Sequence, residues 1–379
     1  MWYFISPDIF FGEDALEKLR DVEGKQAFIV TDKVMMELGY VQKIQNLLDM
    51  ESVVFDEVEP DPSYETVIKG KEMIAKTESD VIIGLGGGSP MDAAKTIRVL
   101  YEMPDMEIES ITPFTPLKIG KTTLILIPTT SGTGSEATTA IVLTKKDEQR
   151  KTPTVNIKAG ADIAIVDPSL AEALPPTVAA NTGMDALSHA IDAYISEWKS
   201  DFADGLAIKA AEMIFQYLPR AYKDRNDREA KEKMHIAASI AGLAFGNSQA
   251  GLSHSLGHSL GAVFHLPHGK ACGISLPYSL QFEAKEPEVM DLLAEFAYYL
   301  RIEDVAALVK KIFDLLTAIG IPHSLKETEI SKEDFEARLD KLTENAGQDA
   351  TAVTIKRTAS NEEFRKLFEC IYEGKEVDF

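Results

Sequence analysis

At Pro175-Pro176 the sequence changes character, and the change sets the architecture. Upstream, short β-branched runs alternate with helix-like stretches. Gln26–Thr31 (QAFIVT), Ser52–Phe55 (SVVF), Val81–Leu85 (VIIGL), Leu124–Ile127 (LILI) and Ile163–Val166 (IAIV) read as buried strands, and Tyr64–Thr77 carries Val67, Ile68, Met73 and Ile74 at helical spacing. Such alternation predicts an α/β domain with a mostly parallel sheet. From about Val178 the chain is Ala-rich, helix-periodic and nearly free of strand signals, as in Asp204–Leu218 and Glu288–Leu300. The expected organisation is an α/β domain over residues 1–178 and an all-α domain over residues 179–379, which a length of 379 accommodates.

A net charge of −22 argues against a nucleic-acid or anionic-membrane partner. Cys272 and Cys370 lie far apart with no CxxC or metal-type spacing, so no disulfide framework is expected and a reducing cytoplasm is the natural setting. Met1-Trp-Tyr-Phe-Ile-Ser-Pro7 lacks the basic segment, apolar core and cleavage site of a signal peptide. No apolar run reaches the roughly 18–20 residues of a spanning helix.

Val81-Ile-Ile-Gly-Leu-Gly-Gly-Gly-Ser-Pro-Met-Asp92 runs from strand through turn to helix. Gly86, Gly87 and Gly88 let the backbone bend sharply and a ligand approach closely. Ser89 reads as the N-cap, Pro90 as the first helical residue and Asp92 as the third residue beyond the cap. Free amides at the positive end of a helix suit a pyrophosphate, although this is not a literal GxGxxG and an isolated glycine triplet is as often only a tight turn. Two companions favour the ligand. Pro128-Thr-Thr-Ser-Gly-Thr-Gly-Ser-Glu136 follows another buried strand and offers the hydroxyls of Thr129, Thr130 and Thr133 beside small residues. Asp32 closes a strand where a carboxylate suits ribose hydroxyls, and equally suits capping the next helix. Lys151 is a candidate for neutralising cofactor oxygens, against the ordinary reading of a solvated lysine.

Four of the seven histidines fall within fifteen residues, in Gly251-Leu-Ser-His-Ser-Leu-Gly-His-Ser-Leu-Gly-Ala-Val-Phe-His-Leu-Pro-His-Gly269. His189 stands four residues after Asp185 in GMDALSHAID, so on a helix the two share a face with Cβ atoms roughly 6 Å apart. One carboxylate oxygen and one imidazole nitrogen then reach a single cation at about 2.0–2.2 Å. Carboxylate with imidazole suits Fe(II), Zn(II) or a similar ion, and the absence of thiolates counts against a structural zinc knuckle. His235 and His323 read as ordinary core or surface residues. Spacing alone pairs His254 with His258. His268 cannot continue that helix, since fourteen residues would carry it roughly 21 Å along the axis; Gly261 and Pro267 are places for the chain to turn back. Geometry leaves both assignments open.

Together, Gly86-Gly-Gly-Ser89 with Asp92, PTTSGTGSE, GMDALSHAID and HSLGHSLGAVFHLPHG resemble, in order, the signatures of iron-containing (group III) alcohol dehydrogenases. The resemblance runs from Ser6-Pro-Asp-Ile-Phe-Phe-Gly12 to at least Pro277; the last hundred residues match only in helical character. It implies metal ligands at Asp185, His189, His254 and His268, and a proton-transfer role for His258 close to the nicotinamide. It also implies dinucleotide contacts from Asp32, Gly88, Ser89, Thr129, Thr133, Thr138 and Lys151, to which the turn and loop add Gly87 and Thr130.

The expected protein is therefore a dinucleotide-binding α/β domain with a helical metal-binding domain, of the dehydroquinate synthase-like/iron alcohol dehydrogenase architecture, with the active site in the cleft between them. Hydride would pass between a small alcohol, or its aldehyde or ketone, and NAD (NADP as the alternative), with Fe(II) (Zn(II) as the alternative) polarising the substrate oxygen. A homodimer or higher homo-oligomer is expected. Rival readings are a glycerol dehydrogenase or dehydroquinate synthase of the same superfamily, and a metal- or nucleotide-binding sensor without turnover.

Overall fold

The computed structural model describes residues 4–148 and 150–379. The chain forms two compact units, one spanning Ile5–Ala173 and the other comprising Phe4 and Leu174–Phe379, so the division falls a few residues before the expected position 178.

In the first unit six parallel strands form one sheet: β1 (Asp8–Phe11), β2 (Gln26–Val30), β3 (Glu51–Phe55), β4 (Val81–Gly86), β5 (Thr123–Pro128) and β8 (Ile163–Val166), in the order β1-β8-β5-β4-β2-β3. Alternate residues face opposite sides, and both sides are buried, which is why the strands read as continuous apolar runs. Phe28, Val30, Ile82 and Leu124 join one core with Val67 and Ile74 of α3 (Tyr64–Ile74) and Ile97 of α4 (Gly88–Glu102). Ala27, Ile29, Ile83 and Ile125 join the other with Met35 of α1 (Lys33–Glu37) and Val41 and Ile44 of α2 (Tyr40–Gln45).

Three elements were not anticipated. β1 is a short edge strand without alternating apolarity. β6 (Ala140–Lys145) and β7 (Arg150–Val155) form a separate antiparallel pair; β7 is half-buried throughout and contains Pro153, while β6 carries the short run Ala140-Ile-Val-Leu143, whose Ile141 and Leu143 are buried.

The second unit is helical among its described residues: α5 (Pro176–Ile195), α6 (Asp201–Lys223), α7 (Arg228–Ser248), α8 (Leu252–Phe264), α9 (His268–Glu283), α10 (Pro287–Tyr299), α11 (Val305–Ala318), α12 (Lys332–Gly347) and α13 (Asn361–Glu373). Fully buried alanines on α5, α6 and α7, among them Ala190, Ala207, Ala211 and Ala237, let these helices pack closely around one core. No described helix is long and apolar enough to cross a membrane.

Candidate active site

The order of the sheet locates a candidate ligand site in the first unit. From β2 the chain passes to β3 on one side, whereas β4, β5 and β8 succeed one another on the other side of β2. The carboxyl ends of β2 and β4 therefore flank a topological switch point, where open α/β sheets bind their ligands. Val30 of β2 lies opposite Gly84, and Gly86 of β4 opposite Pro128 of β5. Asp32, the glycine turn and the threonine loop thus leave the same edge of the sheet.

Gly86 has a positive φ of 146°, a conformation that favours glycine. A Cβ on Gly88 would lie 3.1 Å from Thr133 Cγ2, and one on Gly87 3.4 Å from Thr130 Cγ2, so turn and loop face one another across bare backbone. The side-chain oxygens of Thr129 and Thr130 are buried without a hydrogen-bond partner. Such a pair of hydroxyls next to free helical amides fits an oxygen-rich ligand.

The cap differs from expectation. α4 begins at Gly88 with Gly87 as its N-cap, so Ser89 lies inside the first turn, where its Oγ accepts a hydrogen bond from the Asp61 amide at 3.2 Å. Lys151 is mostly buried, not solvated, and its Nζ meets Asp61 Oδ1 at 2.7 Å. Asp32 caps α1, accepting from the Met35 amide at 3.0 Å, which is the competing reading of that residue.

The turn rests on a buried network that the sequence did not reveal. Lys95 is fully buried. Its Nζ bonds Ser135 Oγ and the Ala140 carbonyl at 2.7 Å each, and reaches Asp92 Oδ1 and Thr138 Oγ1 at 3.3 Å. Asp92 in turn accepts from Ser135 Oγ at 2.6 Å and from the Val142 amide at 2.9 Å. Asp92 and Thr138 thereby join the threonine loop to α4 from beneath.

The helical unit holds a cluster of its own. α8 ends at His265, whose φ of 56° turns the chain back; the turn is there and at Pro267, not at Gly261. α9 then starts at His268. A Cβ at Gly269 would lie 2.0 Å from the Asn181 carbonyl oxygen, so only glycine lets the start of α9 seat against α5. That approach brings His268 Nε2 to 3.2 Å from Asp185 Oδ1, while His254 Nε2 lies 3.7 Å from the same oxygen. Ligands about 2.1 Å from a tetrahedral ion stand roughly 3.4 Å apart, and the two separations bracket that distance. His189 stacks between Phe245 and His254, with ring centroids at 3.9 and 4.4 Å.

Asp185 Oδ1, His254 Nε2 and His189 Nδ1 are buried and make no hydrogen bond. Burial alone would raise the Asp185 carboxyl, but the neighbouring imidazoles of His268 and His189 hold it well below the usual range. Burial also opposes a charge on His254, yet Asp185 and Asp192 push it up to about 9. Burial keeps His189 well below the ordinary histidine value, so its ring is a neutral donor. A carboxylate and imidazoles that attract positive charge without satisfying one another fit a divalent cation.

Two carboxylates missed at the sequence level orient the histidines of α8. His254 Nδ1 meets Asp192 Oδ2 at 2.8 Å, and His258 Nδ1 meets Asp349 Oδ2 at 2.8 Å. A carboxylate only accepts, so in the neutral form of each ring Nδ1 carries the hydrogen and Nε2 the lone pair. Asp192 was discernible, because positions 185, 189 and 192 share one helical face. Asp349 lies in the segment without recognisable motif. Cys272 was dismissed on spacing, yet it stands one turn after His268. The set whose ligand atoms all lie within 4.8 Å of one another is Asp185, His254, His268 and Cys272.

A glycine turn that suits an anion lies at the switch point of a parallel sheet, and it is followed along the chain by helices carrying a carboxylate–imidazole cluster that suits a divalent cation. Residues 6–168 match the family described as iron-containing alcohol dehydrogenase, and residues 179–372 match the C-terminal part of the Fe-containing alcohol dehydrogenase family. The NADPH-dependent butanol dehydrogenase of Clostridium saccharobutylicum is 40% identical over 100% of both chains. The 1-propanol dehydrogenase of Citrobacter freundii is 35% identical over 95% of this chain and 97% of its own. An iron-containing alcohol dehydrogenase structure from Thermococcus thioreducens superposes with a TM-score of 0.91 at 30% identity, over 99% of this chain and 100% of the other. The chain belongs to the iron-containing alcohol dehydrogenase family and is an alcohol oxidoreductase.

Proposed function

We propose that the enzyme interconverts a small primary or secondary alcohol and its aldehyde or ketone, using NAD and an Fe(II) ion held by Asp185, His189, His254 and His268. The observation that carries this reading is the convergence of buried, unsatisfied Asp185 Oδ1 and His254 Nε2 beside His268. Bound there, a divalent ion supplies Lewis acidity that lowers the pKa of an alcohol oxygen. Asp192 holds the His254 ring in one tautomer, and burial keeps His189 neutral. His258, its Nδ1 committed to Asp349, presents Nε2 as the group that takes the alcohol proton and returns it in the reverse direction. Gly87, Gly88, Ser89, Thr129, Thr130, Thr133, Thr138 and Lys151 cradle the dinucleotide. The hydride chemistry is the cofactor's.

The experiment is to purify the enzyme without oxygen, measure its metals, strip it, reload it with Fe(II) or Zn(II), and follow reduced nicotinamide with a panel of alcohols. Fe(II) in the anaerobic protein and faster turnover after iron loading are expected; a zinc-only preparation inactive with iron would refute the metal assignment. NAD is preferred in this reading because the Asp32 carboxylate repels a 2′-phosphate. Lys33 is drawn to Asp56 at 2.6 Å and away from compensating that charge. The Clostridium relative is named for NADPH, which makes the comparison of kcat/KM for the two cofactors decisive: Asp32→Gly narrows the gap about tenfold if Asp32 sets it, a change of ~1.4 kcal/mol. A cytoplasmic homodimer completes the proposal; neither Cys272 nor Cys370 is in a disulfide among the described residues, which suits a reducing compartment.

A further inference from the structure

Cys272 is fully buried and lies on α9 one turn beyond His268. Its Sγ is 3.8 Å from His268 Nε2, and its position within 4.8 Å of ligand atoms of Asp185, His254 and His268 makes it part of one four-donor set. A metal bound to sulfur at about 2.3 Å and to nitrogen at about 2.1 Å separates those atoms by roughly 3.6 Å when tetrahedral, close to the 3.8 Å from Sγ to His268 Nε2, with Nδ1 of the same ring at 3.7 Å. The place for the thiol is provided by Gly257 of α8, where a Cβ would lie 2.5 Å from Sγ. Any larger residue at 257 would push the sulfur away from α8. Two donors of the set, Asp185 Oδ1 and His254 Nε2, are buried and without hydrogen bonds.

We propose that Cys272 is a metal ligand: a thiophilic ion, Zn(II) or Co(II), is held at this site by Asp185, His254, His268 and the Cys272 thiolate. The inference rests on the metal reading above and deepens it, because the donor set then depends on which ion is bound. Charge favours it. Asp185 and two neutral imidazoles leave a divalent ion with one uncompensated positive charge, which is costly to bury; a thiolate removes it. On binding, the S–H bond breaks, a sulfur–metal bond forms and the proton leaves to solvent, with no change of oxidation state. Soft thiolate selects Zn(II) and Co(II) over the harder Fe(II), and by donating its charge it weakens the Lewis acidity available to the substrate oxygen.

Cobalt reports sulfur ligation directly. The chelated, full-length enzyme is titrated with Co(II) in a Cys370→Ser background, and the near-ultraviolet thiolate-to-cobalt charge-transfer band is recorded alongside metal stoichiometry. One bound Co(II) per chain with that band is expected. Cys272→Ser is expected to lose the band and to bind Zn(II) about tenfold to a hundredfold more weakly, while Fe(II) affinity changes less than about threefold. Stoichiometric Co(II) without the band overturns thiolate ligation and leaves the metal site standing. A band that survives Cys272→Ser also overturns it. Failure to bind cobalt at all overturns the site itself. Should Cys272→Ser not fold, the spectrum of the parent protein decides alone.

Discussion

The two units prepare for their ligands in opposite ways. In the α/β unit the charged groups under the glycine turn satisfy one another: Lys95, Asp92, Ser135 and the Val142 amide close a buried network. The surface offered to a ligand is backbone and threonine hydroxyl. In the helical unit the charged groups are themselves the offered surface, and Asp185 Oδ1 and His254 Nε2 are left without hydrogen bonds. The first half is preorganised at its own expense of buried charge, already compensated. The second is electrostatically incomplete, and a cation adds stability to it by mass action. Damage to the first should therefore show in folding, and damage to the second in metal content and turnover.

The largest effect tests the incomplete half. His254→Ala or His268→Ala is expected to lower bound metal far below one per chain and turnover by about a thousandfold or more, since the Lewis acidity lost is worth several kcal/mol. His258→Ala should keep its metal and turn over slowly. Metal analysis that finds the reverse pattern would exchange the roles of these histidines. The complete half is broken at Lys95: Lys95→Met leaves Asp92 buried without its cation and is expected to cost about 3 kcal/mol, read by denaturant unfolding of the α/β unit, with metal content in the helical unit unchanged. Equal losses of metal in Lys95→Met would erase the distinction between the halves.

The contrast also accounts for what could be read from the chain. Strands β2, β4, β5 and β8 are largely buried on both faces, so composition alone marked them, and the half-buried β3 was marked by Val53, Val54 and Phe55. β1 and β7 carry no such signal, and the short run Ala140–Leu143 of β6 was passed over. The cap at Gly87 was displaced from Ser89 because a backbone bend, not a side-chain oxygen, starts α4. Asp185 and His189 were discernible as spaced chemistry on one helix, with Asp192 available on the same face, whereas spacing could not choose between His258 and His268 as the partner of His254, and only the family resemblance did. Asp349 was not, because only tertiary packing carries it to His258 from ninety residues away. Lys95 has the sequence signature of any helical lysine; its burial comes from the loop folded over it.

Asp349 gives an intermediate effect. Asp349→Asn keeps the shape but offers Nδ1 of His258 either an acceptor or a donor, so the tautomer is no longer enforced. A loss of about tenfold to a hundredfold in kcat is expected with KM nearly unchanged, the scale seen when an orienting partner of a histidine is removed. An unchanged kcat would mean that Asp349 serves only its other bonds, to the Thr351 amide and hydroxyl at 2.9 and 2.7 Å.

The smallest effect lies in the preorganised half, at Glu59. Its carboxylate accepts from Thr66 Oγ1 at 2.6 Å and from Ser63 Oγ at 2.8 Å, and it pairs with Lys146 at 3.1 Å. Ser63 caps α3, so this carboxylate fastens the entrance to a helix of the sheet's outer layer. Burial works against the charge, but the hydroxyls of Thr66 and Ser63, and then Lys146, lower the carboxyl from the ordinary 4.5 to about 2. Because the folded pKa is depressed, the unfolded chain binds the proton more readily. The stability contributed is complete above the ordinary glutamate value and is lost as pH falls from there towards 2. The carboxylate is partly open to solvent, so screening reduces its worth to about 1 kcal/mol. Glu59→Gln should thus lower the stability of the α/β unit by about that amount near neutrality, with the difference from the parent protein shrinking through the acid range. A gap that stays constant with pH would show that the glutamate acts through packing and not through its charge.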